Sequence, residues 1–161
     1  MTKKALIIID VQNYFVNELT KSLPEKIVRY INKTDYDFVV FTKFINKKGS
    51  NFFKLLNWEK MLSGNETEIH NSLIKFCNKK NVFTKTNYSI FKAKGLAEYL
   101  RKNKISLLYL CGIDTEACVL ASAFEAFDLG FDVKIIKELC SSHSGKSLHN
   151  SALKIIEKCI E

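Results

Sequence analysis

The sequence contains few of the residues that mark several common classes of protein. Its 161 residues include one proline and six glycines, which excludes collagen-like and low-complexity chains. The five cysteines are an odd number, and none of them forms a C-x-x-C pair. Neither a disulfide framework nor a tetrahedral zinc site is therefore predicted. With 47% hydrophobic and 26% charged residues, we expect one globular domain over residues 1–161.

Arginine is also scarce, although the chain is basic. The formal net charge is +8, yet 23 of the 25 basic residues are lysines, and these are scattered along the whole chain. Base readout and phosphate clamping depend largely on the arginine fork, and no basic run with interleaved aromatics appears. We interpret the charge as a solvated lysine surface and predict no nucleic-acid partner.

Long apolar runs are missing as well. No stretch approaches the roughly 20 residues that a bilayer span requires, so no membrane partner is predicted. The first apolar run, 5–9, ends in Asp10 and lacks the cleavage pattern of a signal peptide. We expect a cytoplasmic protein.

Buried strands and amphipathic helices alternate along the chain. The patterns predict strands at 5–9, 37–42, 81–86, 105–111 and 131–137, and helices at 24–32, 52–56, 68–79, 96–104, 115–129 and 147–160. Such alternation indicates βαβ units with right-handed crossovers. We therefore predict an α/β fold in three layers, α/β/α, around a mostly parallel sheet.

The pattern of apolar residues over 107–124 changes from that of a buried strand to that of a helix. Its first five residues read as a strand buried on both faces, Gly112 interrupts it, and Thr115 is a candidate N-cap of the helix that follows. Cys118 is therefore expected in the first helical turn, where free N–H groups and the helix dipole favour a thiolate. A structural, buried cysteine is the alternative, and the local sequence does not decide between them.

Three predicted strand ends bring reactive side chains to one edge of the sheet. Asp10 follows the first strand, Lys85 lies on the third, and Cys118 follows the fourth. The ammonium group would lower the pKa of the thiol, and the carboxylate could accept its proton during attack on a carbonyl. Taken singly, the aspartate could be a cap or turn acid, and the lysine is one of 23.

The sequence resembles the isochorismatase-like cysteine hydrolase family. The resemblance is carried by three motifs in the family's order, 5–15, 83–91 and 112–123, with Gly130–Val133 after them. It implies a Rossmann-like parallel sheet of about six strands between helices, so we expect five to six strands. It also implies a homodimer or a higher homo-oligomer.

The family's catalytic residues fall on Asp10, Lys85 and Cys118. The resemblance implies acyl transfer: the thiol attacks an amide, the backbone N–H groups of Ala117 and Cys118 form the oxyanion hole, and the carboxylate moves the proton. The family's non-proline cis peptide falls at Ile113–Asp114.

This chain departs from the nicotinamidases of the family in the segment after its second strand. Those enzymes carry an Asp-x-His pair and a further histidine there, which bind a metal, whereas residues 42–53 contain no histidine and the first is His70. We therefore predict no metal or other cofactor, and nicotinamide is a doubtful substrate. His143 and His149 are six residues apart, and we interpret them as surface or core histidines.

The resulting hypothesis is a cysteine-dependent hydrolase that cleaves the C–N bond of a small-molecule amide through a thioester acyl-enzyme. Phe15, Trp58, Tyr88 and Ile113 are candidate substrate-binding residues, though each could equally belong to the core. The rival hypothesis is a non-hydrolytic redox or ligand-binding thiol protein, which needs an accessible thiol of low pKa but no positioned carboxylate.

Overall fold

The computed structural model describes residues 2–160, and a five-stranded sheet forms its centre. The strands are β1 (Lys3–Ile9), β2 (Phe38–Phe44), β3 (Val82–Lys85), β4 (Ile105–Ile113) and β5 (Asp132–Ser141). Their order is β3-β2-β1-β4-β5, and every neighbouring pair is parallel. The expected parallel α/β fold is confirmed, with five strands in the sheet.

Helices connect the strands and flank the sheet. They are α1 (Leu23–Lys33), α2 (Asn51–Leu56), α3 (Leu96–Lys102), α4 (Leu120–Asp128) and α5 (Lys146–Cys159), with a π-helical turn over Thr115–Val119 directly before α4. Single α-helices join β1 to β2, β3 to β4, and β4 to β5, as parallel neighbours require. Within residues 2–160, no helix is both long and apolar enough to cross a bilayer.

β1 is the central strand because its side chains are apolar on both faces. Residues 5–9 are at most 1% exposed, and the strand pairs with β2 on one side and β4 on the other. β2 and β3 are therefore added on one side of β1, and β4 and β5 on the other. In open α/β sheets, a crevice forms beyond the carboxyl ends of the strands where the strand order reverses, which places it here beside the ends of β1 and β4.

The helix predicted over residues 68–79 is wrong. Glu68 accepts a hydrogen bond from the Asn13 N–H, Ile69 forms a bridge with Gln12, and the His70 N–H donates to Val11. These contacts hold the first three residues extended, and only a 3-10 helix over Asn71–Phe76 follows. Tertiary contacts have overridden the helical periodicity.

β5 ends at Ser141, four residues beyond the end that the sequence pattern predicts. The strand continues past residue 137 through an irregularity in its pairing with β4, after which Gly112 pairs with Cys140 and Ile113 with Ser141. The extension carries the chain that follows β5 to the edge of the sheet where β1 and β4 end.

Gly112 on β4 pairs with Ile9, the last residue of β1. Its φ is +128°, and a Cβ built there would be 2.1 Å from the Ile9 carbonyl oxygen. We expect Gly112→Ala to lower the free energy of unfolding by at least about 3 kcal/mol, since strain and overlap with backbone add. Gly130→Ala is the matched control, because its φ is +83° but no atom lies within 4 Å of its Cβ. If urea denaturation shows that both variants lose the same free energy of unfolding, this account is contradicted.

Candidate active site

The structure brings Asp10, Lys85 and Cys118 together. The Lys85 Nζ lies 2.6 Å from Asp10 Oδ2 and 3.3 Å from the Cys118 Sγ. Both charged side chains are 0% exposed. A buried ion pair is maintained only where its remaining hydrogen-bonding capacity is satisfied, and here the third acceptor for the ammonium group is the Asn87 carbonyl at 2.8 Å.

Backbone geometry aims the acid and the lysine at the same point. Asp10 directly follows β1 and has a φ of +51°, a left-handed conformation that aspartate tolerates better than most residues. Thr42 on the neighbouring strand donates a 2.7 Å hydrogen bond to Asp10 Oδ1. Lys85 is the last residue of β3, on the same edge of the sheet.

Cys118 lies in the π-helical turn that links β4 to α4. The Asp114 carbonyl accepts hydrogen bonds from both the Ala117 and Val119 N–H groups, which widens the turn. The predicted N-cap is wrong: Asp114 occupies that position without a side-chain cap. The Thr115 hydroxyl instead donates to the Ser141 carbonyl at 3.1 Å.

The pKa of the Cys118 thiol is raised, contrary to the sequence-based expectation that it would be lowered. Burial is the largest cause and the Asp10 charge adds to it, whereas Lys85 acts in the opposite direction. Burial also opposes the charge of Lys85, but Asp10 and the thiol outweigh it, and the pKa of the lysine is raised. The expectation considered the dipole and the ammonium group but not desolvation.

The Cys118 side chain opens on a cavity of about 350 Å³. Twelve residues line it, and we name two groups among them: the aromatic wall is Phe15, Phe44, Phe52, Leu56, Trp58 and Tyr88, and the polar wall is Asp114, Glu116, Ala117, Cys118, His143 and Ser144. Three of the four predicted pocket residues therefore line it. Ile113 does not, because it is fully buried within β4.

The aromatic wall is held by side chains that the sequence analysis did not single out. The Gln12 amide donates to the Phe44 and Thr67 carbonyls and accepts from the Phe44 N–H, all within 2.8 Å. The Asn46 side chain donates to the Trp58 carbonyl at 2.9 Å. Phe52 packs against Phe44 with ring centroids 4.9 Å apart.

His143 lines the cavity, a position that its interpretation as a surface or core histidine did not predict. Its Nδ1 lies 2.6 Å from Asp114 Oδ2, and its backbone N–H donates to Asp114 Oδ1 at 2.8 Å. The Asn17 side chain donates to its carbonyl at 2.9 Å. His149 lies elsewhere, with its Nδ1 2.7 Å from the Thr115 hydroxyl.

We predict that the His143–Asp114 pair makes stability depend on pH. The hydrogen bond to Asp114 is the main cause of the raised pKa of His143, burial opposes it, and the charges of Asp114 and Glu116 add to it. The pair's contribution is therefore complete below about pH 6.5 and is lost as pH rises through the higher pKa of the folded protein. The melting temperature of wild type should exceed that of His143→Gln by more at pH 6 than at pH 9. A difference independent of pH would contradict this.

Two further backbone features surround the nucleophile candidate. The peptide bond between Ile113 and Asp114 is cis. The Ala117 N–H, one of the two expected oxyanion donors, makes a long 3.2 Å hydrogen bond to the Asp114 carbonyl.

The residues at the end of β2 are not suited to bind the metal ion expected in the nicotinamidases. The chain there carries Phe44 and Asn46, and the Asn46 side chain already makes four hydrogen bonds within its own loop. Across residues 2–160, no three His, Cys, Asp or Glu side chains are grouped in a way that would hold a metal ion.

The fold and the buried acid, lysine and thiol beside a cavity define a hydrolase-type α/β/α domain. The model of the isochorismatase domain matches residues 4–161. The chain therefore belongs to the isochorismatase family.

Similar proteins agree with this assignment. Isochorismatase domain-containing protein 2 of Xenopus laevis is 34% identical over 38% of this chain, a match that spans only 30% of that protein. The isochorismatase family protein PncA of Bacillus subtilis is 29% identical over 87% of each chain. The crystal structure of nicotinamidase PncA from Bacillus subtilis superposes with a TM-score of 0.83 at 28% identity, covering 99% of this chain and 97% of that one.

Proposed function

We propose that this protein is a cysteine-dependent hydrolase that cleaves the C–N bond of a small-molecule amide through a thioester. The observation that carries the proposal is the contact of Lys85 with both Asp10 and the Cys118 Sγ beside the cavity. Nucleophilic catalysis needs a thiol, a proton acceptor and a group that stabilises the developing anion within reach of one another. The similarity to a nicotinamidase points to an amide as the substrate.

The reaction proceeds in two halves. The Cys118 Sγ attacks the amide carbonyl as its proton passes to Asp10, which then delivers that proton to the leaving nitrogen. Collapse of the tetrahedral intermediate breaks the C–N bond, releases the amine and leaves a thioester. Water then attacks the thioester and gives its proton to Asp10, and the carboxylic acid leaves with the thiol restored.

The raised pKa of the Cys118 thiol determines how the first step begins. The resting cysteine carries its proton, so attack requires a nearby base, and Asp10, which acts on the pKa of the thiol, fills that role. Lys85 stabilises the sulfur as negative charge develops on it. The N–H groups of Ala117 and Cys118 are the proposed oxyanion donors, and the Ala117 N–H exchanges its long bond to Asp114 for one to the oxyanion.

The features of Cys118 speak against the rival redox function. A redox-sensing thiol needs a low pKa and access to solvent. Here the pKa is raised and the residue is 8% exposed. A carboxylate held by Thr42 and paired with Lys85 also has no part in such a function.

The volume of the cavity suits a small substrate. The residues at the end of β2 do not suit a metal ion, so nicotinamide held by a metal is an unsuitable candidate. The cavity volume of about 350 Å³ lies at the small end of ligand pockets. We therefore propose that side chains of this chain, without a metal, orient the substrate. Assembly as a homo-oligomer and a cytoplasmic location remain predictions.

Trapping the acyl-enzyme tests the proposal. Wild-type protein incubated with a panel of small aryl and alkyl amides and quenched in acid should gain the mass of the acyl group on the tryptic peptide that contains Cys118. Ammonia should be released at a matching rate. Ammonia release with no thioester on this peptide under any quench time would refute the mechanism, and no turnover across the panel would refute the function.

A further inference from the structure

Glu116 lines the cavity and carries a buried carboxylate oxygen without a hydrogen-bond partner. Its Oε1 accepts a 2.6 Å hydrogen bond from the Ser142 hydroxyl. Its Oε2 is buried and has no hydrogen-bond partner among the described residues. A buried carboxylate oxygen without a donor is costly, so the atom requires an explanation.

The charges around the cavity sum to a negative value. Lys85 is ion-paired with Asp10 and donates hydrogen bonds to the Asn87 carbonyl and the Cys118 Sγ. His143 is paired with Asp114 through both the ring and the backbone. If His143 is protonated, one negative charge remains, and if it is neutral, two remain. The polar wall therefore favours a positive or hydrogen-donating group in either state.

The aromatic wall is suited to a flat apolar body. Phe52 contacts Tyr88, with ring centroids 4.9 Å apart, and Trp58 at 5.7 Å. Phe15 closes the side near His143, with centroids 5.4 Å apart. Aromatic faces also attract cations, so both walls accept an ammonium group better than a carboxylate.

We propose that Glu116 selects the substrate: an amide whose aromatic or apolar body carries an ammonium or other N–H donor remote from the scissile carbonyl. The inference rests on the proposed amide hydrolysis and adds the substrate class to it. An amide that carries a second carboxylate meets an uncompensated negative wall and is rejected.

Glu116 has one competing role, which is to hold the loop after β5 through Ser142. The two roles are separable because Ser142→Ala removes the tether and leaves the charge in place. Glu116→Gln removes the charge and retains an oxygen that can accept the Ser142 hydroxyl.

The test compares kcat/KM for three benzamides that differ in the meta substituent: 3-(aminomethyl)benzamide, 3-methylbenzamide and 3-carboxybenzamide. Wild type should prefer the ammonium probe over the methyl probe by about 10-fold or more, as a charge-assisted hydrogen bond implies, and should disfavour the carboxylate probe. Glu116→Gln should reduce this preference about 10-fold, mainly through KM. Ser142→Ala should retain the preference. The charge-matched control is Glu125→Gln, which alters a carboxylate of α4 that is paired with Lys92, and it should also retain the preference.

Binding to Cys118→Ala separates this inference from the proposed function. Calorimetry should show tighter binding of the ammonium probe than of the methyl probe, and the difference should disappear in Cys118→Ala/Glu116→Gln. Equal binding of the two probes overturns the role of Glu116, and so does loss of the preference in Ser142→Ala. Failure to hydrolyse any probe while the binding preference persists overturns only the hydrolytic function.

Discussion

Replacement of Cys118 by alanine is expected to reduce kcat for amide hydrolysis by at least about 10⁴-fold, as loss of the nucleophile does in other acyl-transfer enzymes. In the proposed mechanism the sulfur forms the thioester, and water in its place has no comparable nucleophilicity. Ammonia release under saturating substrate measures the effect. Circular dichroism and thermal unfolding should show that the variant remains folded, since removing one sulfur atom leaves the Lys85–Asp10 pair intact.

Cys159→Ala provides the matched control. Cys159 is an exposed thiol near the end of α5, so its removal should leave turnover unchanged. If Cys118→Ala retains more than about a hundredth of wild-type kcat, the thioester mechanism is wrong, because the other groups at the site do not supply a nucleophile.

The sequence was sufficient to predict which side chains meet at the centre of the site. A short apolar run ending in Asp10 and another ending at Gly112 are typical of central parallel strands. Parallel strands bring their carboxyl ends to one edge, so the acid, the lysine and the thiol converge there. The three side chains do lie in contact in the structure.

The same rule applied to β5 would have found His143. The pattern appeared to end at Lys137, because the next residues depart from the alternation expected of a strand, and the pairing irregularity with β4 leaves no signature in one sequence. With the strand extended to Ser141, the polar loop that contains His143 reaches the same edge. Its partner, Asp114, was identified only as part of a peptide bond.

Other features depend on contacts between distant segments. The aromatic wall includes Phe44 and Phe52, whose place is determined by buried amides of Gln12 and Asn46, and no local pattern indicates such pairing. The direction of the Cys118 pKa shift also depends on burial, which a sequence does not quantify. Local propensity therefore predicted the five strands and most of the helices, while desolvation and long-range contacts decided the rest.

These observations assign different tasks to the two charges beside the sulfur. Asp10 makes the thiol harder to ionise, and Lys85 makes it easier. The resting thiol is therefore protonated. In the mechanism that we propose, transfer of this proton to Asp10 neutralises the opposing charge as the sulfur attacks the substrate carbonyl.

Asp10→Asn is expected to separate these tasks. Loss of the base should reduce kcat by about 10²- to 10⁴-fold. Because it breaks a buried ion pair, it should also lower the free energy of unfolding by about 3–5 kcal/mol, measured by urea denaturation. Asparagine tolerates the positive φ at this position, so backbone strain does not account for the loss. Asp35→Asn, an exposed position, should change neither quantity.

Alkylation of Cys118 decides whether Asp10 acts as a base or only as a structural partner. With its charge removed, the thiol should ionise at lower pH than in wild type, because Asp10 raises its pKa. The iodoacetamide reaction of Cys118, followed by mass spectrometry from pH 6 to 10, should therefore shift to lower pH in Asp10→Asn while amide hydrolysis falls. If alkylation and hydrolysis instead fall together, the variant has lost the geometry of the site, and the assignment of Asp10 as the proton acceptor fails.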